Sequence, residues 1–254
     1  MNTDSDNQAE IIFGHHAAVA TLKAPNSAQK VNKVFLQKGL RSDKIAEVMK
    51  LAKKNRLVIQ DVPKKKLDEM SHFGNHQGIV LTVTPFEYTE VDDLFANAKA
   101  KGQDPFFLVL DNLNDPHNFG SILRTADAVG VNGVIIPKRR ATGVTSVVAK
   151  TSTGAVERIP IARVTNLVRT IKQLKKQGIW FFGTAMEGTD YRKWNAKGAI
   201  ALVIGNEGKG ISPLVMKQMD QVLTIPMIGK VQSLNASVSA GVLMYQAFTS
   251  RESE

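Results

Sequence analysis

Six short apolar runs in the second half of the chain constrain its fold more than any other feature. They are FFLVLDN (106–112), GVIIPK (133–138), RIPIA (158–162), WFFGTA (180–185), AIALVIGNE (199–207) and VLTIPM (222–227). Apolar runs without alternation are typical of strands that are covered on both faces. Helix-like segments lie between them, and two of these end at Gly130 and Gly178, as helices often do. This order predicts an α/β fold with a mostly parallel sheet and helices on both sides.

Residues 10–86 have a different pattern, which predicts a small separate α/β domain. Ser42 can cap a helix whose apolar positions recur at the spacing of one buried face, and this helix is followed by the strand-like segment RLVIQDV at 56–62. The segment GIVLTVTPF at 78–86 predicts a further strand. Residues 87–105 are polar, have a weak helical signal and end in a GQDP turn. They predict a linker before a second domain at 106–254.

Composition indicates a polyanionic partner and excludes sulfur chemistry. The chain has 33 Lys and Arg against 23 Asp and Glu, a net charge of +10 that attracts nucleic acids. It contains no cysteine, which excludes disulfides, thiolate metal sites and thiol nucleophiles. The first ten residues, MNTDSDNQAE, are polar and acidic, unlike a secretory signal, and no apolar run is long enough to span a bilayer. We therefore expect a cytoplasmic protein that binds RNA or DNA.

Three segments follow predicted strands at the edge where parallel sheets bind ligands. In the first, DNLNDPHNFGSILRTADAVG (111–130), Asn118 is a candidate helix cap and Arg124 lies off the apolar face. A guanidinium there suits a phosphate group, although a solvated helix arginine is the alternative. The second, LVIGNEGKGIS (202–212), places Glu207 in a glycine-rich turn that lacks the spacing of a dinucleotide or P-loop motif.

The third segment, IPMIGKVQSLNASVSAGVLMYQAF (225–248), leads through a loop into a long helix that Ser233 or Asn235 could cap. Its many small residues permit close packing of the helix against neighbouring elements. Taken alone, the second segment is also compatible with an ordinary tight turn, and the third with a capped core helix.

Taken together and in this order, the three segments resemble the motifs of SpoU-type members of the SPOUT superfamily. These are RNA ribose 2′-O-methyltransferases that use S-adenosylmethionine. Residues 11–86, with FGHHAAV at the start and NHQGIV near the end, resemble a ribosomal-protein-like RNA-binding domain carried by part of the family. That part includes the bacterial enzyme that methylates a guanosine of 23S ribosomal RNA. The resemblance implies a deep trefoil knot in the C-terminal domain and a homodimer.

The resemblance also implies which residues form the site. Those expected to bind the cofactor are Thr184, Ala185, Gly205, Ile225, Met227 and Leu234. Those expected to act in catalysis are Asn118, Arg124, Glu207, Ser233 and Asn235. The family usually assigns removal of the 2′-hydroxyl proton to the arginine. A protonated guanidinium has no acceptor site, however, so we expect Arg124 to bind a phosphate and stabilise the forming alkoxide.

In this scheme Glu207 and Asn118 orient Arg124. Ser233 and Asn235 hold the ribose and the carboxylate end of the cofactor. A tRNA or resistance-type rRNA ribose methyltransferase is the nearer alternative. A non-catalytic RNA-binding or ribosome-assembly protein is the other.

Two further groups of residues lie outside these motifs. His72 and His76 lack an acidic third ligand at metalloprotease spacing, so we predict no metal site. The loop with Lys138, Arg139 and Arg140, and the segment with Lys150, Ser152 and Thr153, are either solvated or in contact with RNA.

Overall fold

The computed structural model describes residues 10–24, 27–83, 86–229 and 233–252. The polar stretch before residue 10 and residues 230–232 of the third segment lie outside this part of the chain. The chain forms two compact units, the first ending at Tyr88 and the second beginning at Thr89. None of the helices within the described residues combines the length and apolarity needed to cross a membrane.

The first unit is a mixed four-stranded sheet with helices. Its strands are β1 (Glu10–Phe13), β2 (Val31–Gln37), β3 (Val58–Val62) and β4 (Ile79–Val83). Its helices are α1 (His15–Lys23), α2 (Ser27–Lys30), α3 (Asp43–Lys54) and α4 (Lys64–Met70). The strand order is β1-β4-β2-β3, with β2 and β3 parallel and both pairings of β4 antiparallel. Strand β1 was not predicted, because four residues at a sheet edge show too little periodicity to be recognised.

Helix α3 forms as its sequence predicts. The Ser42 hydroxyl accepts a hydrogen bond from the backbone N–H of Ile45 at 3.3 Å, which satisfies one of the unpaired donors of the first turn. Ile45, Val48 and Ala52 are buried in the core that α3 shares with the sheet. The cap and the apolar face therefore fix both the start and the orientation of this helix.

The second unit is a six-stranded parallel sheet in the order β10-β8-β9-β5-β6-β7. Its strands are β5 (Phe106–Leu110), β6 (Gly133–Pro137), β7 (Ile161–Val164), β8 (Trp180–Asp190), β9 (Ile200–Ile204) and β10 (Gln221–Thr224). Its α-helices are α5 (Val91–Ala100), α6 (Pro116–Ala128), α7 (Ser146–Thr151), α8 (Leu167–Lys176), α9 (Pro213–Met216) and α10 (Ala236–Glu252). All six predicted strands are present, so the predicted α/β class with a parallel sheet is confirmed. The trefoil knot stays a prediction.

The segment predicted as a linker, residues 87–105, instead contributes helix α5 to the second unit. A reciprocal capping box between Glu90 and Asp93 starts this helix. Leu94 is fully buried in the core and packs so closely on β6 that a Cβ on Gly133 would lie 2.6 Å from its side chain. The polar composition concealed a helix that needs only one narrow apolar face to join the core.

The C-terminal end of α10 is fixed by Arg251. Its Nη1 donates to the carbonyl oxygens of Ala196 at 3.0 Å and Gly198 at 2.7 Å, and its Nη2 donates to that of Asp104 at 2.6 Å. The guanidinium also lies 5.5 Å from the centre of the Phe106 ring. Burial lowers the pKa of Arg251, which remains a cation. One side chain thus ties the last helix to two loops.

Arg251→Ala is expected to lower the melting temperature of the protein by about 5 °C, because it removes three charge-assisted hydrogen bonds from partly buried carbonyls. Differential scanning calorimetry measures this shift. Arg158→Ala is the matched control, because it removes an exposed ion pair with Asp127 and should change the melting temperature little. Equal shifts for the two variants would contradict a special role for Arg251.

Candidate active site

The second and third segments meet at one edge of the parallel sheet, around a cavity of about 420 Å³, and the first segment reaches its wall through the hydrogen bond from Asn118 to Glu207. This volume is in the range of small-molecule sites. The cavity is lined by residues 184–186 of β8, by the turn after β9 and by the chain from Leu223 of β10 onward, at the edge where parallel sheets place their ligands. Eight of the predicted site residues line it: Thr184, Ala185, Gly205, Glu207, Ile225, Met227, Ser233 and Leu234.

Several further residues of the cavity wall were missed by the sequence analysis. Most are apolar and come from strands and helices around the cavity: Met186, Ile204, Ile211, Met216, Leu223 and Leu243. Lys209 and Ser239 add polar groups. These residues belong to the same apolar runs as the core, so periodicity gives no sign that their side chains face a cavity.

The glycine-rich turn after β9 closes on itself. The backbones of Asn206 and Gly210 exchange two hydrogen bonds, of 2.8 and 3.1 Å. A Cβ on Gly205 would lie 2.2 Å from the carbonyl carbon of Gly210, so no other residue fits there without movement of the backbone. The Asn206 side chain stabilises the turn by accepting from the N–H groups of Gly208 and Lys209. The turn is therefore a defined part of the cavity wall.

Asp111, at the end of β5, connects this turn to the first segment. Its side chain is buried and its Oδ2 accepts from the backbone N–H of Ser212 at 2.7 Å. Its Oδ1 accepts from Asn112 at 2.7 Å. Asp111 lies in the first segment and was not among the predicted site residues. A carboxylate directly after a buried strand is the signal that could have identified it.

Helix α6 begins earlier than predicted. Asp115, and not Asn118, caps it, by accepting from the N–H of His117 at 2.8 Å, and Pro116 takes the first turn. Proline needs no hydrogen-bond partner there, which explains the earlier start. Asn118 is therefore inside the first turn and almost fully buried. Its side chain is free for contacts outside the helix.

Asn118 joins all three segments through a chain of hydrogen bonds. The N–H groups of Ser237 and Val238, at the start of α10, donate to Oδ1 of Asn235, which confirms Asn235 as the cap of that helix. Nδ2 of Asn235 donates to Oδ1 of Asn118 at 3.0 Å, and Nδ2 of Asn118 donates to Oε1 of Glu207. Backbone N–H groups can only donate, so the direction of the whole chain is fixed. Glu207 must accept, as a carboxylate does.

Arg124 does not join this network. It is exposed, and it makes no hydrogen bond or ion pair with the rest of the described chain. Six residues separate it from Asn118, about 9 Å along the helix axis and on a different face. Arg124 contacts neither Glu207 nor Asn118 in this structure, so its orientation by these two residues stays a prediction for the RNA-bound protein.

The remaining candidates have separate positions. His76 uses both ring nitrogens within the first unit, with Asp68 at 2.9 Å and the N–H of Gly78 at 2.9 Å. Ser152 is buried and bonds to Ala149, so it is not exposed for contact with RNA. The loop with Lys138, Arg139 and Arg140 follows β6 and lies at the same edge of the sheet as the cavity.

Residues 105–245 match the model of the SpoU rRNA Methylase family. This match, together with the cavity that the predicted site residues line, shows to which family the chain belongs. The chain belongs to the SpoU rRNA methylase family. Residues 11–89 match a second model, described as RNA 2′-O ribose methyltransferase substrate binding. The resemblance on which the fold and site were predicted is thereby confirmed at the level of the family.

The chain is 50% identical over 245 residues to YacO of Bacillus subtilis (strain 168), covering 96% of this chain and 97% of the relative. It is 47% identical over 242 residues to a protein of Staphylococcus saprophyticus, covering 95% and 96%. The names of both relatives assign them to the TrmH family of tRNA/rRNA methyltransferases. These names leave the RNA target open between tRNA and rRNA.

Two solved structures have the same fold. The AdoMet-bound rRNA methyltransferase of Sinorhizobium meliloti is similar with a TM-score of 0.58 and 23% identity, over 95% of this chain and 87% of the other. The SpoU methyltransferase AviRb of Streptomyces viridochromogenes, in complex with AdoMet, has a TM-score of 0.59 and 22% identity, over 98% and 92%. Both comparisons extend over the two units of the chain.

Proposed function

We propose that this SpoU-family protein transfers a methyl group from S-adenosylmethionine to a ribose 2′-oxygen of RNA, and that its target is a guanosine of 23S ribosomal RNA. The observation that carries the proposal is a cavity that eight of the predicted site residues line, from β8 and from the second and third segments, and that the hydrogen bond from Asn118 to Glu207 joins to the first segment. Residues 11–86 resemble a domain carried by the part of the family that includes the 23S-modifying enzyme, which supports the ribosomal target over tRNA. Such a target places the protein in the cytoplasm, and we propose that it acts there as a homodimer.

The residues of the cavity fit S-adenosylmethionine. Apolar side chains, among them Ile204, Leu223 and Leu243, form one wall and suit a flat adenine. Gly205 leaves no side chain where the turn approaches the cavity. Ser233, Glu207 and Lys209 provide polar groups of both charges for a ligand that carries an ammonium and a carboxylate. When bound, S-adenosylmethionine supplies a methyl group on a positively charged sulfur.

Positioning is the first contribution of the protein to the reaction. The hydrogen-bond chain from α10 through Asn235 and Asn118 holds the carboxylate of Glu207 in one orientation. A fixed carboxylate can accept a hydrogen bond from a ribose hydroxyl or attract a cationic ligand. Holding reactants in an attack geometry accounts for much of the rate in a displacement of this kind.

Electrostatic stabilisation is the second contribution. A ribose 2′-hydroxyl reacts poorly until its proton is removed or weakened. Arg124 is exposed and makes no bond to other described residues, so its fork is available for an RNA phosphate and for the negative charge that forms on the oxygen. The loop with Lys138, Arg139 and Arg140, at the same edge of the sheet, supports binding of the RNA backbone.

Asn118→Asp tests the direction of the hydrogen-bond chain. The substitution places a second carboxylate against Glu207, so we expect the transfer rate at pH 8 to fall at least about tenfold. Lowering the pH protonates one acid of the pair and restores a donor between them. The ratio of variant to wild-type rate should therefore rise as the pH falls from 8 to 6. A constant ratio would show that Asn118 acts only through its size, and Asn118→Leu is the control for that case.

The decisive experiment incubates the protein with methyl-labelled S-adenosylmethionine and with separated 23S rRNA, 16S rRNA and tRNA from cells that lack its gene. Digestion to nucleosides and mass spectrometry identify the product, and primer extension maps it. We expect 2′-O-methylguanosine in 23S rRNA alone. Label in tRNA alone would favour the tRNA alternative. Absence of label in every RNA would favour a non-catalytic RNA-binding or assembly protein.

A further inference from the structure

Helices α3 and α4 of the first unit end in the same type of turn. After α3, the N–H of Arg56 donates to the carbonyl of Lys53 and that of Leu57 donates to Ala52. After α4, the N–H of His72 donates to Glu69 and that of Phe73 donates to Asp68, the latter at 2.7 Å. Both patterns are Schellman motifs, in which the second residue after the cap usually packs an apolar side chain against the last turn of the helix.

The two turns differ in what happens to that apolar residue. Leu57 is only 7% exposed and belongs to the core. Val131 after α6 and Ile179 after α8 occupy the same position and are also buried. Phe73, by contrast, is 83% exposed, and the residue that it would cover is the polar Asp68. Phe73 therefore does not pack against the last turn of α4, as the apolar residue at this position of a Schellman motif usually does.

The loop from residue 71 to residue 78, here called the α4–β4 loop, is also strained. His72, Phe73 and Gln77 have φ values of +50°, +60° and +51°, in the left-handed region that favours glycine. Each such residue costs free energy unless the surroundings hold it in place. Strain of this kind is concentrated at ligand and switch sites. The exposed apolar ring of Phe73 and its left-handed backbone both cost free energy, and neither gives a structural benefit in return.

The surroundings do hold the α4–β4 loop in place. His76 is buried, its Nδ1 accepts from the N–H of Gly78, and its Nε2 therefore carries the hydrogen that it donates to Asp68. Ser71 bonds to the carbonyl of Asp68, and Gly74 packs so closely on Phe13 that a Cβ would lie 2.6 Å from the ring. The loop is thus a rigid support that presents one aromatic ring to solvent.

Charge indicates what the ring contacts. Residues 10–88 contain thirteen Lys and Arg against seven Asp and Glu. Lys44 reaches the loop directly, with Nζ 3.4 Å from Oε1 of Gln77. Leu40, which is exposed, packs at Gly78. An aromatic ring in a domain with an excess of cationic side chains, one of which bonds to the same loop, matches an unpaired base and its phosphate, because bases stack on aromatic rings while lysines bind the backbone.

We propose that Phe73 stacks on an unpaired base of the RNA substrate, and so selects an RNA that presents a single-stranded nucleotide to the first unit. This proposal rests on the proposed function, because it assigns a recognition residue for the same RNA. Pre-organisation of the loop explains the strain. The contacts of the α4–β4 loop hold its backbone in place before RNA binds. Binding therefore does not have to supply the free energy of ordering the loop.

The test compares full-length variants at position 73 in RNA binding and methylation. Phe73→Ala should raise the KM and the Kd for RNA about tenfold, with kcat at saturating RNA and affinity for S-adenosylmethionine unchanged. Phe73→Trp should retain wild-type values, and Phe73→Leu should lose most of the affinity because it keeps bulk without an aromatic face. Trp180→Ala is the matched control, since Trp180 is 61% exposed at the start of β8 and outside the loop.

Two further readouts separate stacking from structural effects. Phe73→Gly relieves the left-handed conformation, so it should melt no lower than the wild type and yet bind RNA as weakly as Phe73→Ala. Ultraviolet cross-linking of the wild type to RNA should place the cross-link at Phe73. Unchanged RNA affinity in Phe73→Ala, or a change in oligomeric state, would overturn the proposal, the latter by indicating that the ring contacts a second copy. If the wild type methylates no RNA, the proposed function fails, whereas normal wild-type methylation with an inert Phe73→Ala defeats only this inference.

Discussion

Arg124→Ala should abolish methyl transfer, with a fall in kcat of about 10³-fold, while the affinity for S-adenosylmethionine stays within a few-fold of wild type. The side chain is exposed and bonds to no other described residue, so its removal leaves the fold and the cavity wall intact. What is lost is stabilisation of the negative charge on the reacting oxygen. An interaction made only in the transition state lowers kcat and kcat/KM alike.

Single-turnover rates with saturating RNA measure this effect, and isothermal titration calorimetry measures cofactor binding. Arg124→Lys is the matched variant, since it keeps the charge and loses the planar fork. We expect it to recover part of the RNA affinity and little of the rate. A comparable loss of cofactor binding in Arg124→Ala would contradict the assignment, because it would place Arg124 in the cofactor site.

Gly205→Ala should weaken binding of S-adenosylmethionine by at least about 100-fold. The added methyl group would lie 2.2 Å from the carbonyl carbon of Gly210 and 2.3 Å from the nitrogen of Ile211, both backbone atoms that a side-chain rotation cannot move. The turn would have to open to accommodate this methyl group. Because the turn forms part of the cavity wall, its opening would disrupt the site for the cofactor. Gly208→Ala, in the same turn, is the control, because its nearest neighbour would be the Asn206 side chain at 3.6 Å, an ordinary contact.

Calorimetry with each variant tests the difference, and circular dichroism with thermal melting checks that both fold. We expect Gly208→Ala to bind within about twofold of wild type. Normal cofactor affinity in a folded Gly205→Ala would mean that the turn relaxes without consequence for the cavity, and the cofactor would then have to bind elsewhere.

The sequence predicted those parts of the fold that depend on local pattern. Continuous apolar runs identified all six strands of the parallel sheet. A strand covered on both faces must be apolar throughout, which holds for β5, β6 and β9, whereas β7, β8 and β10 are only partly buried and were identified by shorter apolar runs. Ser42 and the apolar face that follows it identified α3. Helix α5 was predicted only weakly, because polar residues surround its one apolar face, on which Leu94 and Ala98 are buried and Val91 and Phe95 are partly buried.

The site could be predicted only as far as the resemblance extended. Motif order placed Glu207, Ser233 and Leu234 together, and they do line one cavity. The contacts of Asn118 could not be predicted, because Glu207 and Asn235 are 89 and 117 residues away in the chain. Asp111 was not predicted for the same reason, because its partner, the N–H of Ser212, is 101 residues further along the chain. Long-range partners of single polar groups leave no periodic trace in a sequence.

The two anchors of the last helix determine when the pocket can exist. Asn235 bonds to a residue 117 positions earlier, and Arg251 to one 147 positions earlier. Between these anchors Ser239 and Leu243 form part of the pocket lining. A nascent chain that has emerged only as far as β10 therefore has an incomplete pocket, whatever the state of the sheet. Competence to bind the methyl donor therefore arises only after α10 has been synthesised and docked, at a rate set by closure of long loops.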